Sequence, residues 1–172
     1  MRVTVPQALH ESRQARGVSQ SAVGAPYGQQ MISEIERGNR KIAADMAPRI
    51  GQALDDPAIL LELAREMSGG WGPAWLNGPN VDLHRAVVRE MCLKELHESI
   101  EAVQQWSTIK PPVAETEGER KRRYQHLLQI MDNEVALSTY IGIQCREYGF
   151  SMLQLSRDHY ARLKGKRYVR GD

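Results

Sequence analysis

Between two stretches of helix-period sequence lies Ser68-Gly69-Gly70-Trp71-Gly72-Pro73-Ala74-Trp75-Leu76-Asn77-Gly78-Pro79-Asn80, and no regular element runs through such a block. Glycine adds backbone entropy and proline removes a backbone donor, so the segment reads as a loop. It divides the chain into residues 1–67, a Gly/Pro/Trp linker over 68–81, and residues 82–172. Trp71, Trp75 and Leu76 predict that the linker packs down onto a helix surface while serving as the hinge between two modules. An exposed partner site is the other reading of those tryptophans.

On the N-terminal side every signal is helical. Pro6 suits a first helical turn, and Gly17 closes that helix. Ser19 caps a short helix, Gln20 to Ala25, which Pro26-Tyr27-Gly28 breaks. A third helix runs from about Gln29 to Arg37, with Met31, Ile32 and Ile35 as its apolar face. A fourth is expected from Ala43 to Leu54, irregular near Pro48, and a fifth from Ala58 to Met67 after Asp56-Pro57.

Beyond the linker, Asp82 is placed to cap a long helix from Leu83 to about Ser107, stopped by Lys110-Pro111-Pro112. Another runs from about Glu119 to Tyr140 and either continues or breaks toward Glu147. Ser151 caps a last helix, Met152 to Leu163, ahead of a basic tail. No convincing alternating strand is present, so the fold class is all-α.

The net charge of +2 gives no broad field for nucleic acid. The distribution is uneven: residues 1–57 carry +1, residues 58–118 carry −4 and residues 119–172 carry +5. DNA binding would therefore rest on local clusters, and the basic C-terminal third is a second candidate surface or a solvated helix face. Cys92 and Cys145 lack metal-site spacing and fit a reducing, cytoplasmic setting. Neither a membrane span nor a signal-peptide pattern appears. None of the five histidines forms an HExxH pair; His84 and His97 stand thirteen apart, outside chelating spacing. Nucleotide-binding and nucleophile-elbow motifs are also missing. The expectation is a binder without cofactor or metal, and not an enzyme.

The informative stretch is Arg13 to Lys41, RQARGVSQSAVGAPYGQQMISEIERGNRK. Physically it is a short helix, a tight turn and a second short helix that opens on polar side chains. A recognition helix enters the major groove N-terminus first, and a glutamine amide matches an adenine edge, which suits Gln29 and Gln30. Ser33 and Glu34 lie about one turn on, within reach of a base or phosphate. Asn39, Arg40 and Lys41 follow the helix and would clamp the backbone.

GVSQ followed by ISEIERGNRK resembles the Cro/C1-type (XRE-like) helix-turn-helix family of phage and bacterial transcriptional regulators. The resemblance spans roughly residues 6–66. It implies a five-helix lambda-repressor-like helix-turn-helix domain ahead of a helical C-terminal module. By position, Gln20 would contact a phosphate, Gln29, Gln30 and Ser33 would lie on the DNA side, and Ile32 and Ile35 would be core. Glu36 would make a structural polar pair with Arg13. The family's usual spacing from the Ser of SQ to the Glu of ERG is 19 positions; here Ser19 to Glu36 is 17. That predicts a shortened helix or a retuned turn. Gly24 stands where an alanine is usual and would weaken the helix by about 0.5–1 kcal/mol. More weakly, the rest of the chain resembles phage and prophage regulators of Gram-positive bacteria.

The implied function is sequence-specific binding of double-stranded DNA by a repressor of phage or mobile-element genes. A homodimer would pair through residues 83–107 and 119–140, since two-fold operators need two recognition helices. The C-terminal module alternatively senses a small-molecule effector or a regulatory protein, and its basic segments could add nonspecific DNA contacts. The reading from a different class is a helical protein-interaction adaptor that keeps the fold without operator binding.

Overall fold

A computed structural model describes residues 4–106 and 111–170, and within them every regular element is helical. The expected ends at Ser107 and Lys110, and the N-terminal Met1 to Val3, lie outside the described residues. Five short helices come first: α1 (Val5–Arg16), α2 (Gln20–Val23), α3 (Gln29–Glu36), α4 (Met46–Leu54) and α5 (Pro57–Met67). Then follow α6 (Arg85–Gln104), a 3-10 turn at Pro112–Ala114, α7 (Glu117–Tyr148) and α8 (Met152–Gly165).

Local chemistry accounts for most boundaries. α4 starts at Met46, later than the apolar pattern suggests, which puts Pro48 in the first turn, where its missing N–H forfeits no helical bond. His84, not Asp82, caps α6: the Ala86 amide donates to His84 Nδ1 at 3.4 Å, while Asp82 accepts from the His84 amide at 2.8 Å. α7 opens on a reciprocal capping box between Thr116 and Glu119 and runs unbroken for 32 residues. Gly142 does not interrupt it. A Cβ there would lie 2.7 Å from both Pro57 Cβ and Trp75 Cζ3, so this glycine lets α7 come close to the body.

Helices α1 to α5 enclose one core, with Leu9, Ile32, Ile35, Ile50 and Ile59 fully buried. A second core joins Ala58 and Leu61 of α5 to Trp75, Val88 of α6 and Ile143 of α7. The linker is therefore packed through Trp75, which is buried as expected, whereas Trp71 is exposed, against the expectation that it too packs down. It is not a free hinge. The Trp75 amide donates to the buried Glu62 carboxylate at 3.1 Å, and Arg65 donates to the Gly72 carbonyl at 2.6 Å.

The junction also carries a buried ion pair. Arg146 of α7 donates to both oxygens of Asp56, at 2.8 and 2.7 Å. Ser12 of α1 donates to the same carboxylate at 2.6 Å, and the Ala58 amide at 3.1 Å. Burial alone would raise the Asp56 pKa. Arg146 and Ser12, with the Ala58 amide, outweigh it and hold the carboxyl below its ordinary value. From this junction α6 and α7 extend as an antiparallel two-helix arm. Among the described residues no helix is long and apolar enough to cross a membrane.

Candidate nucleic-acid interface

α3 is held in place from below. Ile32 and Ile35 are fully buried and Met31 packs on the same core, as the apolar spacing predicts. The opposite side of the helix is thereby turned outward. Gln29 and Gln30 occupy its first turn and are exposed. Ser33 and Glu34, one turn on, are half-buried, and Asn39, Arg40 and Lys41 are exposed beyond its C-terminus.

The connection into α3 is unusually compact. α2 is a single turn, Gln20–Val23, capped by Ser19, whose hydroxyl accepts from the Ala22 amide at 3.2 Å. The expected helix to Ala25 stops short because residues 24–28 are already turning. Gly24 lies beyond α2 and is demanded by space: a Cβ would sit 2.6 Å from the Gly28 carbonyl oxygen and 2.9 Å from Ile32 Cγ1. Its expected role as a helix-weakening residue is thus replaced by one in packing. Gly28 then adopts φ 88°, a conformation glycine favours, immediately before α3. The Tyr27 hydroxyl donates to Asp45 at 2.7 Å and ties the turn to the start of α4, which no local sequence signal announced.

Beneath α3 the Glu36 carboxylate gathers three side chains. Arg13 donates through Nε to Oε1 at 2.7 Å and through a terminal nitrogen to Oε2 at 3.1 Å. Gln20 donates to Oε2 at 2.8 Å, and His10 Nδ1 lies 3.2 Å from it. Burial alone would raise the Glu36 pKa, but these partners outweigh it and lower it below the usual carboxylate value. Arg13 is raised in turn by its bond to Glu36. The Arg13–Glu36 pair forms at the positions the motif implies. Gln20 differs from its expected place: its amide points inward to Glu36, because the one-turn α2 brings its first residue over that carboxylate.

Glu34 is similarly engaged. It accepts from Asn39 Nδ2 at 3.0 Å and from Arg37 at 3.3 Å, bracing the loop that follows α3. The side chains left free to meet a ligand on this surface are therefore Gln29, Gln30, Arg40 and Lys41, flanked by Ser33 and Asn39. Their donors and acceptors suit hydrogen bonding and anion contact. Among the described residues no group of three or more His, Cys, Asp or Glu side chains is placed to hold a metal ion. Cys92 and Cys145 are buried free thiols, each pushed up in pKa by burial.

No family model matches the chain, and no curated protein or solved structure matches it.

Proposed function

We propose that residues 1–67 are a five-helix lambda-repressor-like helix-turn-helix unit that binds double-stranded DNA in a sequence-specific manner. α2 and α3 are the motif, and α3 is the recognition helix. Gln29 and Gln30 read base edges in the major groove, with Ser33 beside them. Arg40, Lys41 and Asn39 hold phosphates and supply salt-dependent affinity. Gln20 and Glu36 act from beneath by orienting α3, in company with Arg13. The protein is a binder, not an enzyme. It works in the cytoplasm as a repressor of phage or mobile-element genes, and it acts by occluding a promoter.

The observation that carries this reading is the two-sidedness of α3. Its isoleucines are anchored in the core while its first turn offers two exposed glutamines ahead of a basic loop. The test is a titration against DNA flanking the gene, at physiological salt and with competitor DNA. Specific binding is expected, with Gln29→Ala/Gln30→Ala abolishing discrimination while leaving weak nonspecific binding. Arg40→Ala/Lys41→Ala should weaken binding to all sequences and flatten its salt dependence, by a slope of roughly 1 for each phosphate no longer held. A folded protein without even weak, salt-sensitive affinity for any duplex would sink the proposal. A second reading, an adaptor that keeps the fold without operator binding, is favoured by one observation, the hydrogen bond that engages the half-buried Gln20 amide with Glu36.

A further inference from the structure

α8 leaves the body without burying any of its 14 residues. An isolated helix of that length is marginal in water unless something packs on its apolar face. Met152, Leu155, His159 and Arg162 follow three- and four-residue spacing and share one face. That face stands off from α7, and with Ile141 of α7 it lines an open groove of about 550 Å³. Met152 packs on the second core at one end, whereas Leu155 and Ile141 stay 47 and 40 % exposed. The volume lies within the roughly 300–1,000 Å³ of small-molecule sites.

The groove has an apolar end and a charged end. Arg162 lies ten positions from Met152, about 15 Å along the helix. Among the described residues its guanidinium has no hydrogen-bond or ion-pair partner. Asp158, one turn earlier and also on the lining, accepts from Gln154 Nε2 at 2.8 Å and leaves Arg162 unpaired. Ser156 and His159 add hydrogen-bonding groups to the lining. Residues 152–170 carry six Lys or Arg and one Asp, so the local field favours an anion. An apolar trough that ends on an unpaired guanidinium complements a molecule with an alkyl body and one acidic head. Duplex DNA has no apolar part to fill it, and a flat bilayer does not enter a groove between two helices.

We propose that the groove between α7 and α8 binds one molecule of a free straight-chain carboxylic acid. Its alkyl chain lies along Ile141, Met152 and Leu155, and its carboxylate meets Arg162. This goes beyond the DNA-binding reading and does not depend on it, because the groove uses no residue of α1 to α5.

The test is calorimetric titration of the full chain, without DNA, using dodecanoate below its micelle concentration. Dodecyltrimethylammonium, with the same chain and the opposite charge, is run beside it. Dodecanoate should bind saturably at one per chain, and the cation at least tenfold more weakly. Arg162→Gln should weaken dodecanoate about fivefold by removing an exposed charge contact, and Arg162→Lys should retain most of the affinity. Leu155→Gln should weaken it about tenfold by removing apolar contact. Both side chains are exposed, so far-UV circular dichroism should show each variant folded as the wild type is. No saturable binding overturns the proposal, as does equal binding of the two amphiphiles. Binding indifferent to Leu155→Gln overturns the groove as its place, and binding indifferent to Arg162→Gln overturns the seat of the carboxylate. Association with phosphatidylglycerol vesicles but not with dissolved dodecanoate would assign this face to a bilayer and overturn it too. Because no DNA is present, failure here is separable from failure of the operator titration.

Discussion

In the five-helix body the large aliphatic side chains Leu9, Ile32, Ile35, Ile50 and Ile59 are inside, whereas in the arm the buried positions are Cys92, Ser99, Ala102, Ala136 and Thr139. Leu93, Ile100, Val103 and Leu127 of the arm are exposed instead. Hydrophobic stabilisation scales with the apolar area removed from water, so the body holds most of its own core and the arm does not. The arm's order as a single chain depends on a thin seam and on its junction with the body. Polar satisfaction differs in the same direction. Glu36 and Asp56 in the body gather several donors each, and among the described residues Arg65 Nε is the buried atom there without a hydrogen-bond partner, while in α7 Arg123 Nε, His126 Nδ1, Asn133 Oδ1 and Thr139 Oγ1 are all buried without one.

The largest effect is expected where the two regions meet. Asp56 is 1 % exposed, and Arg146 is its main compensating charge. Arg146→Ala strips that charge and leaves a buried carboxylate, a change that costs about 3–5 kcal/mol. It also removes the guanidinium lying 4.7 Å from the Trp75 ring centroid. Denaturant unfolding followed by far-UV circular dichroism should show the midpoint falling sharply. A shift no larger than that of a surface substitution would mean that body and arm are not coupled through this pair.

The same substitution in the two regions should have opposite signs. Gly24→Ala forces a Cβ against two carbonyl oxygens, those of Gly28 and Gln20, at 2.6 and 2.9 Å. Backbone gives way poorly, so a loss of about 1–3 kcal/mol is expected as α3 shifts. Gly118 lies in the first turn of α7, and nothing stands within 4 Å of the place its Cβ would take. Gly118→Ala should stabilise the chain by up to about 1 kcal/mol through helix propensity alone. Thermal unfolding of both variants reads the contrast, and equal effects would break it.

The parts legible in the sequence were those with local causes. Ser19, Asp56-Pro57 and Ser151 marked helix starts, and the isoleucines of α3 declared its buried face. The pairing of Trp75 with a helix surface followed from an indole in a Gly/Pro loop. What escaped had partners far along the chain. Asp56 and Arg146 are 90 positions apart, and nothing near either one announces the other. Whether α7 continues past Tyr140 was open for the same reason, because a glycine demanded by close packing, as Gly142 is, looks locally like one that ends a helix. Gln20 was legible as a motif residue but not as a partner of Glu36. Its orientation depends on the length of α2, and that depends on how Gly24 packs against α3.

The smallest predicted effect tests the arm's polar seam most directly. Thr139 is fully buried, and its hydroxyl has no hydrogen-bond partner. In the unfolded chain that hydroxyl is solvated, so folding strips its water and returns nothing. Valine has nearly the same shape and a methyl group in place of the hydroxyl. It removes the desolvation penalty without opening a cavity, at the expense of a slight loss in helix propensity. Thr139→Val should therefore stabilise the chain by roughly 1 kcal/mol, where truncating a satisfied buried hydroxyl such as that of Ser12 should destabilise it by a similar amount. Chemical denaturation of Thr139→Val and Ser12→Ala side by side measures both. Stabilisation of the first with destabilisation of the second would place the unsatisfied polar burial in the arm. Destabilisation in both would mean that the Thr139 hydroxyl is satisfied in solution, and that arm and body do not differ in this respect.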